Sequence, residues 1–130
     1  MTEVFELSDP QEVIAKFEEI SASGELFAMV FTGGPKPDGD GASWCPDCDV
    51  AKPAILKAIE DNSTGPVIKA IVQTRDEWVG VADHPLKKHP NFKVTGIPTM
   101  VVFQGTTEMS RVVELDDFAN EDLMETFALN

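Results

Sequence analysis

The stretch Ser43-Trp44-Cys45-Pro46-Asp47-Cys48, SWCPDC, holds both cysteines of this 130-residue chain, with a proline and an aspartate between them. Three chemistries compete for two thiols at that spacing. A structural disulfide across two residues closes almost no loop and so removes little entropy from the unfolded chain. A zinc site needs two further donors, and the histidines available, His84 and His89, each precede a proline outside the usual finger spacing. A redox dithiol needs one thiol held as a thiolate and a second within reach of it. The residues on either side favour this third reading.

Upstream, LFAMVFT (26–32) is an unbroken apolar run of strand length, the pattern of a strand buried on both faces. GGPKPDGDGA (33–42) follows as a loop of glycine, proline and aspartate without periodicity. A helix is expected to start at Cys45 or Pro46 and to turn Ala51, Ile55, Ala58 and Ile59 to the core. Cys45 therefore falls where a strand gives way to a helix. Unpaired N–H groups and the helix dipole stabilise a thiolate there, and Cys48 lies one turn later on the same face. Pro53 sits inside this helix, where proline costs a backbone hydrogen bond. Pro98, in TGIPT, precedes another apolar strand and marks either a cis Ile-Pro bond or a strand-entry turn.

The remaining segments complete an alternating order. VFEL (4–7) reads as a short first strand, and Asp9-Pro10-Gln11-Glu12 as a capping box with proline at the first helical position. Val13, Ile14, Phe17 and Ile20 repeat at helical spacing up to Gly24. PVIKAIV (66–72) is a second buried strand, and RDEWVGV within 73–96 supports a turn or two of helix. TMVVFQ (99–104) and SRVVEL (110–115) form a hairpin around Gly105, with a last helix from Asp116 and Asp117 through Ala119, Leu123 and Phe127. The methionines at 29, 100, 109 and 124 read as core or hairpin fillers. The sum is a single α/β domain over 1–130, a central mixed β-sheet flanked by helices.

Ten basic against 23 acidic residues leave a net charge of −13, which argues against nucleic acid and anionic membrane as partners. The acidic start lacks the basic and apolar regions of a signal peptide, and no apolar run is long enough to span a bilayer, so a cytoplasmic protein is expected. The sequon Asn62-Ser63-Thr64 is then idle. Lys87, Lys88, Lys93, His84 and His89 form the one basic neighbourhood, read as a solvated loop or a partner contact.

Strand, WCxxC, a helix with proline eight residues after the first cysteine, and isoleucine-proline-threonine before a hairpin together resemble the thioredoxin superfamily along essentially the whole chain. The extended loop before the WCPDC motif, with Trp78 and KVTGIPT (93–99), resembles one narrower branch of it. The resemblance implies a thioredoxin fold and a cytoplasmic, monomeric thiol-disulfide oxidoreductase. Such an enzyme reduces small-molecule disulfides such as cystine and selected protein disulfides. It implies recharging by thioredoxin reductase, with NADPH used indirectly, and neither a bound cofactor nor a metal. Cys45 corresponds to the attacking thiol and Cys48 to the resolving one. Trp44, Pro46 and Asp47 tune the site, Trp44 either as an aromatic shield or in plain packing. Ile97, Pro98 and Thr99 hold the substrate segment. The competing expectation is a redox-sensing adaptor without catalysis.

Two departures from the superfamily pattern stand out. Its members usually carry a buried aspartate in the strand before the motif, whereas Leu26 to Thr32 contains no acid. This leaves the group that assists Cys48 open. Asp47 and Asp49 also replace the usual glycine-proline and lysine surroundings; they suit the helix dipole but disfavour a nearby thiolate.

Overall fold

The computed structural model describes residues 3–36, 39, 41–62, 65–120 and 124, with Asp61 and Asn62 described in backbone only. Ser63 and Thr64 of the sequon, Asp38 and Asp40 of the loop, and Leu123 and Phe127 of the last expected helix lie outside these residues.

The elements run β1 (Val4–Leu7), α1 (Pro10–Ser21), β2 (Leu26–Gly33), α2 (Pro46–Asn62), β3 (Val67–Val72), α3 (Arg75–Trp78), α4 (Pro85–Lys88), β4 (Thr99–Gln104), β5 (Thr107–Val112) and α5 (Leu115–Phe118). The five-stranded sheet has the order β1-β3-β2-β4-β5, so the apolar run read as a central strand is the middle of the sheet. β1, β3 and β2 are parallel; β4 and β5 are antiparallel to their neighbours.

The period of two in β2 divides the core. Phe27, Met29 and Phe31 face one side, where Val13, Phe17 and Ile20 of α1 meet Trp78, Leu86 and Phe92. Ala28 and Val30 face the other side, where they meet Ala51, Ile55 and Ala58 of α2 and Phe118 of α5. Both faces are covered, which is why the strand reads as continuously apolar. The Phe17 ring meets those of Phe92 and Phe103 edge-on, with centroids 4.9 and 5.2 Å apart. Helix α1 starts with Pro10 at the first position, as expected, but its cap is a single bond, the Asp9 carboxylate accepting the Gln11 N–H at 2.9 Å, rather than the reciprocal capping box read over Asp9–Glu12.

Three local expectations shift. β5 spans Thr107–Val112 rather than 110–115, because the turn at Gly105 (φ +59°) is short and β4 templates pairing from Gln104↔Thr107 onward. Leu115, expected at a strand end, begins α5 instead. Met109 on β5 is exposed rather than a filler, whereas Met29, Met100 and Met124 are buried. The 73–96 segment holds two single-turn helices. Thr74 and Glu77 form a reciprocal capping box on α3, and the His84 Nδ1 caps α4 by accepting the Leu86 N–H at 3.1 Å.

Candidate active site

The site lies beyond the carboxyl ends of the parallel strands β2 and β3, where open α/β sheets place their clefts. Cys45 stands just before α2, and Cys48 is its third residue. The two are joined as a disulfide with Cα atoms 5.3 Å apart. The Cys48 N–H points at the Cys45 sulfur at 3.2 Å, so this sulfur occupies the position of an N-cap acceptor. The helix N-terminus that was expected to hold a thiolate is therefore built around Cys45.

Register in the sheet supplies the opposite wall. Phe31 of β2 pairs with Thr99 of β4, which brings the preceding Ile97-Pro98 beside the end of β2. The Ile97-Pro98 bond is cis, and the Ile97 carbonyl oxygen lies 3.8 Å from the Cys45 sulfur. Thr99 is fully buried, and its hydroxyl donates to the Gly96 carbonyl at 2.6 Å. Of the three residues expected to hold a substrate segment, Ile97 places its backbone carbonyl at the sulfur.

Of the residues expected to tune the site, Trp44 is half-buried against the core, and its Nε1–H donates to the Val72 carbonyl at 2.8 Å. Pro46 and Asp47 are exposed in the first turn of α2. His84 and His89 serve local structure: the His89 ring stacks on Phe92 at 4.0 Å, and its Nδ1 accepts the Asn91 N–H at 3.2 Å. Burial lowers the pKa of both imidazoles, against the raising pull of Glu77 on His84 and of Glu18 on His89.

Two contributors escaped the sequence reading, and a third, Asp49, is read there only for its charge. The Gly33 N–H donates to the Cys48 sulfur at 3.3 Å, a backbone group where the superfamily's strand aspartate was missed. Ser43 is buried; its hydroxyl donates to the Gly33 carbonyl at 2.9 Å and accepts the Cys45 N–H at 3.0 Å. Asp49 turns both carboxylate oxygens to the Ser43 N–H, each at 3.2 Å. A backbone amide has no signature in a side-chain pattern, but a serine three residues before the helix and an acid in its first turn form a capping-type signal. Behind the disulfide, a groove of about 340 Å³ is lined by Val30, Cys48, Asp49 and Lys69, with Glu6 paired to Lys69 at 3.2 Å.

The sequence and the fold match known proteins. The family model described as thioredoxin domain-containing protein 17-like, thioredoxin domain, matches residues 7–129. Human thioredoxin domain-containing protein 17 is 31% identical over 110 residues, covering 69% of this chain and 80% of that protein. The thioredoxin-like protein Clot of Oryza sativa is 30% identical over 99 residues, covering 70% of this chain and 68% of that one. Oxidised thioredoxin O2 of Arabidopsis thaliana superposes with a TM-score of 0.62 at 17% identity, covering 95% of this chain and 93% of the other, a likeness of fold. With its CxxC pair at the head of a helix in a thioredoxin fold, this chain belongs to the thioredoxin domain-containing protein 17-like family.

Proposed function

We propose that the protein is a thiol-disulfide oxidoreductase that reduces small-molecule disulfides such as cystine, and selected protein disulfides, through Cys45 and Cys48. The observation that carries this reading is the position of Cys45. Its sulfur sits at the head of α2, 3.8 Å from the Ile97 carbonyl and bonded to Cys48. In the dithiol form, the Cys45 thiolate attacks one sulfur of a substrate disulfide. The substrate S–S bond breaks, one substrate thiolate leaves and takes a proton, and a mixed disulfide remains on Cys45. Cys48, its charge stabilised by the Gly33 N–H, then attacks the Cys45 sulfur and releases the second substrate thiol. The net result is two electrons and two protons passed to substrate, with the protein left as the Cys45–Cys48 disulfide.

Recharging by thioredoxin reductase, with NADPH as the ultimate donor, closes the cycle in a cytoplasmic monomer. The preference for small disulfides is assigned to the loop before the motif. The Pro35–Ser43 bridge and the Lys36 N–H to Ala42 carbonyl bond at 2.9 Å close this loop at its base beside the dithiol.

Two measurements test the reading. Cys48→Ser should accumulate a mixed disulfide with substrate, and Cys45→Ser should accumulate none; equal trapping by both would reverse or abolish the assigned roles. NADPH oxidation coupled through thioredoxin reductase should then turn over with cystine. Absence of turnover on cystine, insulin and a protein peroxide substrate alike would favour the adaptor.

A further inference from the structure

Asp49 has no counterpart in the roles derived so far, yet its carboxylate is tied to the reacting turn. Both oxygens lie 3.2 Å from the Ser43 nitrogen. The Ser43 hydroxyl in turn bridges the Gly33 carbonyl at 2.9 Å and the Cys45 N–H at 3.0 Å. The Gly33 N–H completes the circuit at the Cys48 sulfur, 3.3 Å away. The Asp49 N–H also reaches the Cys45 carbonyl at 3.3 Å, so its backbone and side chain grip both ends of the Ser43–Cys45 turn. One exposed carboxylate on α2 thus adds a tie from the helix to the segment that carries Cys45, beside the bonds of Trp44 to Gly34 and Val72.

We propose that Asp49 is a positioning residue for the dithiol, acting on Cys45 through Ser43. Its work is preorganisation: it raises the effective concentration of the Cys45 thiol at Cys48 by limiting the turn that carries it. The part that matters is the acceptor oxygen, since the bond to Ser43 can be made by any carboxylate or amide oxygen at that place. Charge is secondary. The proposal rests on the redox reading above, and its test separates the two.

The experiment equilibrates the full-length protein with glutathione and glutathione disulfide and measures the constant for protein dithiol plus glutathione disulfide giving protein disulfide plus two glutathione. That exchange moves two electrons and two protons from Cys45 and Cys48 to the glutathione disulfide. Asp49→Ala should lower the constant about fivefold, the size of one ordinary hydrogen bond. Asp49→Asn, which keeps an acceptor oxygen and removes the charge, should stay within about twofold of the wild type. An Ala variant within twofold of wild type overturns the proposal, as does an Asn variant as impaired as Ala. If the Ala variant fails to fold, hydrogen exchange on the wild type decides: the Ser43 amide should be protected, and exchange at the rate of an unstructured peptide overturns the proposal. Failure of the wild-type dithiol to exchange with glutathione at all would instead overturn the redox reading, leaving the Ser43 amide as the test of the contact.

Discussion

Gly33→Ala places a single methyl group where three side chains of the site converge. The added Cβ would lie 2.8 Å from Cys45 Cβ, 2.9 Å from Ser43 Oγ and 3.0 Å from Trp44 Cε2. Favourable carbon contacts begin near 3.5 Å, so each neighbour must retreat by about half an ångström or more. None is free to do so. Cys45 is tied by the disulfide, Ser43 by its bonds to Gly33 and Cys45, and Trp44 by its bond to the Val72 carbonyl. Overpacking at a tight site costs about 1–3 kcal/mol, and each hydrogen bond given up to relieve it costs about 1 kcal/mol more. A loss of about 3 kcal/mol is therefore expected for the oxidised protein. With a urea slope of about 2 kcal/mol/M, the midpoint falls by about 1.5 M, readable by tryptophan fluorescence. Gly96→Ala is the control: it is also near the site and free of positive φ, but its Cβ would meet nothing within 4 Å. Its change should stay within about 0.5 kcal/mol. A Gly33→Ala midpoint indistinguishable from that of Gly96→Ala would refute the claim that the dithiol turn is packed against the end of β2.

Acid should weaken the fold partly through His84. Its folded pKa lies below the ordinary 6.5 because of burial, so the unfolded chain binds a proton that the native imidazole refuses. This contribution is intact above 6.5 and is lost as pH falls from there through the folded value. His84→Asn, which offers an amide oxygen to the Leu86 N–H, should flatten the fall in melting temperature between pH 7 and 5; parallel curves for the two proteins would count against it. Lys93 holds φ +51° without being glycine. Lys93→Gly removes a left-handed cost of about 1–2 kcal/mol and adds about 0.5–1 kcal/mol of unfolded-state entropy. It should raise the melting temperature by about 1–3 °C. A lower melting temperature would show that the lysine side chain contributes more than the strain it bears.

Most of the architecture was legible because it is written in short-range patterns. The run Leu26–Thr32 announced a strand covered on both faces, and the structure covers it with α1 on one side and α2 on the other. The Cys45–Cys48 spacing at a strand-to-helix junction announced the dithiol, since one helical turn is a local distance. Boundaries failed where the partner decided them. β5 begins at Thr107 because β4 templates it, and the 73–96 segment resolved into two one-turn helices whose caps, Thr74 and His84, lie in chain with no long apolar period.

What only the tertiary structure decided is the inner wall of the site. Pro98 was compatible with a cis bond or an entry turn until β4 lay beside β2 in the register Phe31↔Thr99. Ile97 and Cys45 are 52 residues apart in the chain, and only that pairing brings one's carbonyl to the other's sulfur. The Gly33 N–H likewise meets the Cys48 sulfur only because α2 packs against β2. Periodicity and capping are properties of neighbouring residues, which a single sequence displays. A hydrogen bond across the fold depends on the relative placement of elements that each look complete alone, and that placement is set by packing of both sheet faces at once.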